Sequence, residues 1–417
     1  MAADAGSERF EVLDAWRGLC AVMVVVYHYS YFVRLDGLQN ALIANAYLFV
    51  DFFFVLSGFV VCHAYAGRIG GVRQAGGFLL RRIGRLWPLH LTVLFAFMLA
   101  IMAINLGGRH PEHLLIEAGT GNYSMRGLQL NAALLNSMGL YGVAWNGPAW
   151  SIGAEFYTYA LFAAVLLTLG ARRLMGVALV LSMGAMAAVL LYAPAYMNST
   201  ADFGFLRCIA GFFAGVVACH AHRRWREVTL PGAGAWEAGA VLLAGLFFVA
   251  AGDGPDRVAP WSVMAPVVFA LVILVFAREA GSLSRLMKAP VLAVLGRWSY
   301  SIYLLHMPLL IVLGYFLWLY GDVNGIDMRP AVEVLGSEKR LYDLGSPILA
   351  VGLLAALLAL VIALAGLTFR LVEVPWRERF TLFARNCERG GRVLAPLPPR
   401  AVTSVPARAR RLVSGRG

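Results

Sequence analysis

The stretch LDAWRGLCAVMVVVYHYSYFV, Leu13 to Val33, is apolar enough to enter a bilayer, yet it carries Asp14 and Arg17 near one end and His28 deeper in. A helix advances about 100° and about 1.5 Å per residue. The eleven residues from Arg17 to His28 therefore close to within about 20° of three full turns and span about 16 Å. Both side chains fall on one face. Arg17 alone reads as well as an interfacial anchor whose stem lies in lipid, and His28 alone as a helix–helix hydrogen bond. An ionisable group inside a span is costly and points to function, and the shared face strengthens that reading.

The rest of the chain agrees with a membrane setting. Of 417 residues, 60% are hydrophobic and 14% charged, where a soluble chain carries about 45–50% and about 25%. Ten apolar segments approach the length of about 20 residues that a spanning helix needs: 14–33, 47–66, 84–106, 150–169, 174–193, 203–219, 236–251, 260–277, 300–320 and 346–369. The fold class expected is an all-α polytopic membrane bundle of about ten spans. The N-terminal segment has no small-residue cleavage site after a short apolar region, so the first run reads as a retained span.

The charges orient this map. The net charge of +12 is nearly all arginine, with Lys288 and Lys339 the two lysines. With the N-terminus inside, the short inner loops hold Arg68, Arg73, Arg81, Arg82, Arg172, Arg173, Arg223, Arg224, Arg226, Arg278, Arg285, Lys288 and Arg297. The longer outer loops hold Arg34, Arg109, Arg126, Arg257, Arg329, Lys339 and Arg340. That asymmetry is the positive-inside pattern, and it puts both termini in the cytoplasm. Residues 376–417, rich in proline and arginine, read as a disordered basic tail near anionic headgroups. Aromatic and basic residues never interleave on a polar surface, so no nucleic-acid partner is expected. The scattered Cys20, Cys62, Cys208, Cys219 and Cys387 indicate neither a zinc site nor a disulfide framework. No metal is expected.

Four further stretches carry chemistry. In FLLRRIGRLWPLHL, Arg82 and Arg85 are neighbours on a helix surface beside Arg81, and guanidinium groups suit phosphate; a positive-inside cluster is the plainer alternative. In NGPAWSIGAEFYTYALF, Pro148 can start a helix that carries Glu155 about two turns in. A carboxylate there needs a partner or must stay protonated, and His28, at similar depth, is the partner expected. In DFGFLRCIAGFFAG, Gly211 and Gly215 permit close helix packing, which leaves Arg207 unexplained. In GRWSYSIYLLHMPL, Tyr300, Tyr303 and His306 form a polar stripe, read as packing with interhelical hydrogen bonds.

With these residues in place, the chain resembles the acyltransferase 3 family of integral-membrane acyltransferases, which modify surface polysaccharides and other acceptors. Five motifs carry the likeness over about residues 10–380. They are Asp14, Arg17, Gly18 and His28; Phe53, Phe54, Leu56, Ser57, Gly58 and Phe59; Arg81, Arg82, Arg85 and Pro88; Pro148, Trp150, Ser151 and Glu155; and Ser299, Tyr300, Tyr303, Leu304 and His306. The resemblance implies a multi-pass protein of a bacterial inner membrane. It implies acyl-CoA, often acetyl-CoA, as a cytoplasmic donor substrate with no tightly bound cofactor, and a glycan or lipid-linked sugar hydroxyl as acceptor. His28 and Glu155 would be catalytic and Arg17, Arg82 and Arg85 would hold CoA. Asp14, Ser57, Trp150, Ser151, Arg207, Tyr303 and His306 would support them. Some relatives carry a fused extracytoplasmic domain; its part would fall here to the membrane domain or to a partner protein. Buried His, Glu and Arg also suit a proton-coupled secondary transporter, although no internal repeat is evident. A non-catalytic membrane scaffold or sensor is the third class, and it would tolerate loss of His28 and Glu155.

Overall fold

The computed structural model describes residues 9–116, 121–228, 231–254 and 257–390. Fourteen α-helices follow in order: α1 Glu11–Ser30, α2 Ala41–Ala44, α3 Phe49–Tyr65, α4 Val72–Leu106, α5 Met125–Ala132, α6 Ala149–Leu169, α7 Leu174–Tyr192, α8 Gly204–Arg224, α9 Ala233–Ala250, α10 Ala265–Phe276, α11 Ser282–Met287, α12 Pro290–Asn324, α13 Pro347–Thr368 and α14 Val374–Glu388. One antiparallel hairpin, β1 Ala331–Val334 with β2 Ser337–Arg340, lies between α12 and α13. Eight helical stretches are long and apolar enough to cross a bilayer. With α1 and the shorter apolar stretch Pro260–Phe276, helices stand at all ten positions read from the sequence. The chain is a helical polytopic membrane protein.

Three segments differ from the expectation. Helix α4 begins at Val72 and α12 at Pro290, so both run well beyond the apolar segments that announced them. At 35 residues each they reach about 50 Å, past a hydrocarbon core of about 30 Å. Arg81 and Arg82 therefore sit on a helix and not in a loop. The tail expected from residue 376 starts as helix, because a π turn at Phe369–Glu373 carries α13 directly into α14. Helix α14 packs antiparallel on α4: Arg81 bonds Glu388, and Gly84 takes Phe380 against its backbone. Residues 391–417 lie outside the described residues.

Lipid supplies no hydrophobic drive between helices, so close packing and hydrogen bonds must hold them. Small residues do this at two parallel pairs. Gly18 of α1 lies against the backbone of Leu295 and Gly296 in α12, which brings His28 to His306 further along the same pair. Gly58 of α3 meets the Phe212 carbonyl of α8, and Gly215 of α8 meets Val55 and Phe59. That pair is tied at one end by Asp51 and Arg207 and at the other by Arg223, which donates to the Cys62 and His63 carbonyls.

The long segment between α4 and α6 does not stay at the surface. Its residues Asn131, Asn136 and Asn146 are buried. Trp87 Nε1 donates to the Ala132 carbonyl at 2.9 Å, and His90 Nε2 lies 2.9 Å from the Asn131 carbonyl. Irregular backbone at this depth is tolerated only inside protein, and here helices α4, α6 and α12 enclose it. Pro308 has no N–H, so the Leu304 carbonyl lacks its helical donor. Asn146 Nδ2 donates to that carbonyl at 3.0 Å, which pins the segment to α12.

A Cβ at Gly215 would overlap the α3 backbone, whereas Gly176 on α7 faces open space. Gly215→Leu should lower stability by about 1–3 kcal/mol or more, and Gly176→Leu should leave it nearly unchanged. Melting curves of the two purified variants in detergent check this; equal melting points would contradict the packing account.

Candidate functional site

Two of the cavities among the described residues are lined by the residues singled out in the sequence. The first, of about 100 Å³, is lined by residues from α1, α3, α4, α6 and α12. Its charged groups are Arg17, Arg82, Arg85 and Glu155. Arg17 Nη1 bonds Asp14 at 3.3 Å, and Asp14 also takes Arg9 at 3.0 Å. Arg82 lies over the rings of Tyr65, Phe78 and Tyr159 at 5.3–5.5 Å and donates to the Tyr65 hydroxyl at 3.3 Å. Its Nε has no acceptor, and Arg85 forms no hydrogen bond or ion pair among the described residues. Guanidinium donors thus remain for an incoming anion. Glu155 accepts from the Tyr159 hydroxyl at 2.5 Å, and Tyr159 meets Ser57 at 2.8 Å. With Arg17 paired to Asp14, Arg82 and Arg85 against Glu155 leave this cavity positive.

The second cavity, of about 250 Å³, lies towards the C-terminal end of α1. His28, Tyr27, Tyr47, Trp150, Arg207 and Asn198 are among the residues lining it. His28 Nδ1 is 2.9 Å from the Val24 carbonyl and 3.1 Å from His306 Nε2. Nδ1 cannot donate to the Val24 carbonyl and accept from His306 at once; where the Val24 bond is made, the proton is on Nδ1 and His306 Nε2 accepts. His28 Nε2 is then left with its lone pair. Arg207 is 1% exposed and fully engaged. It donates to Asp51 at 2.6 and 3.3 Å and to the Ser199 carbonyl at 2.7 Å, and its guanidinium stands 5.0 Å over Trp150.

The structure thus gathers Arg17, Ser57, Arg82, Arg85, Ser151, Glu155 and Tyr303 around one cavity and His28, Trp150, Arg207 and Tyr303 around the other. The hydrogen bond expected between His28 and Glu155 is not made. Ser151 sits four residues before Glu155 and bonds Tyr303, where the two cavities meet. Glu155 is therefore about one helical turn, or about 6 Å, beyond that boundary on the arginine side. His28 takes His306 as its partner instead. The stripe of Tyr300, Tyr303 and His306 does make interhelical bonds: Tyr300 donates to the Leu86 carbonyl at 2.6 Å.

Asp51 escaped the sequence reading. It lies in the apolar run FVDFFF, where the rule that singled out Glu155 applies equally. Tyr159 gave no such signal, since a tyrosine in an apolar helix is ordinary. No group of three or more His, Cys, Asp or Glu residues that could hold a metal ion occurs among the described residues.

A family profile described as an acyltransferase domain, that of acyltransferase 3, matches residues 10–368. A protein from Rhizobium radiobacter named "Protein 2 in picA locus" is 33% identical over 167 residues, which cover 37% of this chain and 82% of that protein. No solved structure matches.

Breaking a buried ion pair on one side leaves the other charge uncompensated, at a cost of about 3–5 kcal/mol. Asp51→Ala should therefore destabilise the protein by about that amount. Adding Arg207→Leu should recover most of the loss. Thermal unfolding of both variants tests the pairing, and a double variant no more stable than the single one would refute it.

Proposed function

The chain belongs to the acyltransferase 3 family, and on that premise we propose that it moves an acyl group, acetyl in the first instance, from cytoplasmic acyl-CoA to a hydroxyl of a surface glycan or lipid-linked sugar. The observation that carries this reading is the pair of abutting cavities, one holding three arginines and the other His28. Arg82 and Arg85, with unmatched donors, bind CoA phosphates, and Arg17, which lines the same cavity and is paired with Asp14, adds to the positive field. The thioester end of the donor then enters the narrow space beside Ser57, Glu155 and Tyr159.

The acceptor hydroxyl comes from the other side, where Trp150, Tyr47 and Tyr27 offer aromatic faces and Asn198 a polar group. The His28 Nε2 lone pair takes the hydroxyl proton. The oxygen attacks the thioester carbonyl, the C–O bond forms, and the C–S bond breaks. The CoA thiolate leaves and takes its proton from the imidazolium. In this tautomer the Val24 carbonyl accepts from His28 Nδ1 and holds the ring in place. Glu155, hydrogen-bonded by Tyr159, balances the arginine charge on the donor side and is placed here and not as the orienting partner of His28. The positive-inside pattern supports an inner-membrane orientation with both termini in the cytoplasm and the arginine cavity facing the donor.

His28→Ala should abolish acceptor acylation in membranes while leaving acyl-CoA binding in place; retained transfer would remove His28 from the mechanism. Arg85→Ala should weaken acyl-CoA binding by about ten- to a hundredfold, the worth of a hydrogen bond to a charged group. Titration of acyl-CoA onto the purified protein measures this, and an unchanged affinity would sink the phosphate role.

A further inference from the structure

Val50 and Tyr303 alone line both cavities among the residues described around them. Tyr303 is 7% exposed, as is Val50. The Tyr303 hydroxyl lies 2.8 Å from Ser151 Oγ and donates to the Pro148 carbonyl at 3.1 Å. Ser151 donates to the same carbonyl at 3.0 Å. The two hydroxyls carry one proton each, so two of these three contacts are hydrogen bonds at any moment, and together they latch the phenol. Its ring meets Phe53 edge-on at 6.0 Å and the His306 ring at 5.7 Å. The backbone on both sides of the latch is fixed as well, since Asn146 of the buried segment bonds the Leu304 carbonyl next to Tyr303.

We propose that Tyr303, with Val50 beside it, is the stop that measures the acyl chain, so that the protein accepts short acyl groups and rejects chains a few carbons longer. This rests on the acyl-transfer reading above. A donor anchored by its phosphates at the arginines enters acyl end first. Everything beyond the carbonyl carbon must then fit between the thioester and the latched phenol. A longer chain either halts before its carbonyl reaches the His28 side, or threads past Tyr303 and fills the space the acceptor hydroxyl needs. Either outcome blocks C–O bond formation without weakening the hold on CoA. The latch also stands between acceptor-side water and the thioester.

The test uses the full chain in membranes from its cells of origin, with acetyl-, butyryl- and hexanoyl-CoA as donors and CoA thiol release as readout. Each methylene a pocket refuses is worth about ten- to two-hundredfold in kcat/KM. The wild type should therefore prefer acetyl- over hexanoyl-CoA by at least about a hundredfold. Val50→Ala should bring that ratio within about tenfold, and Tyr303→Leu should do the same should the smaller change prove too conservative. Tyr303→Phe keeps the ring and loses the latch; it should raise thiol release that is not matched by acceptor acylation. A wild type indifferent to length overturns the proposal, as do ratios unchanged in both Val50→Ala and Tyr303→Leu. A wild type that releases no thiol from any of the three donors defeats the acyl-transfer reading itself.

Discussion

A proline in the middle of α12 sets the terms for much of the structure. Pro308 leaves the Leu304 carbonyl without a donor inside an apolar bundle, where an unmatched polar group costs several kcal/mol. Asn146 answers that carbonyl, and to do so it must lie on a segment that has left the surface. Once there, the segment requires Gly153 on α6, because a Cβ at that position would run into the Leu134 carbonyl. It also presents the Pro148 carbonyl to Tyr303 and Ser151. The boundary between the two cavities is thus assembled from three elements that meet because one helical hydrogen bond is missing.

Electrostatics is divided along the same boundary. On the arginine side, charges are left incompletely paired: Arg17 has Asp14, but Glu155 is the carboxylate that faces Arg82 and Arg85 across the cavity. On the histidine side, the single guanidinium is fully committed, with Arg207 bonded to Asp51 and Ser199 and stacked over Trp150. Unpaired positive charge suits recruitment of an anion, whereas a satisfied pair suits rigid support of a pocket wall. The difference follows from hydrogen-bond accounting and not from the number of charges.

The helices were legible because spans must be apolar and long, and ten such runs are hard to mistake. The face shared by Arg17 and His28 was legible because helical geometry alone fixes it. What stayed hidden depends on partners far away in the chain. His306 pairs with His28 because Gly18 and Gly296 set α1 and α12 side by side in register, and no single-helix argument supplies that register. Glu155 was matched to His28 by depth, but depth along a span does not say which side of Tyr303 a group faces. The first turns of α4 and all of α14 were hidden for a different reason. They are polar and held by contacts such as Arg81–Glu388, so hydropathy passes over them, whereas the first turns of α12 are apolar and pack on α1 at Gly18.

The proposed reaction brings two chemistries to one carbon, and these are hard to host together. A CoA thioester needs cations and shelter from water, while a sugar hydroxyl needs an open, hydrogen-bonding pocket and a base. A single large cavity would let water reach the thioester whenever the acceptor was absent. Dividing the space at Tyr303 lets each half keep its own polarity, and the cost is that the acyl group must be small enough to present its carbonyl at the division. In the proposed reaction, short-chain selectivity would be a consequence of keeping the thioester dry, and not a separate feature that the fold had to acquire.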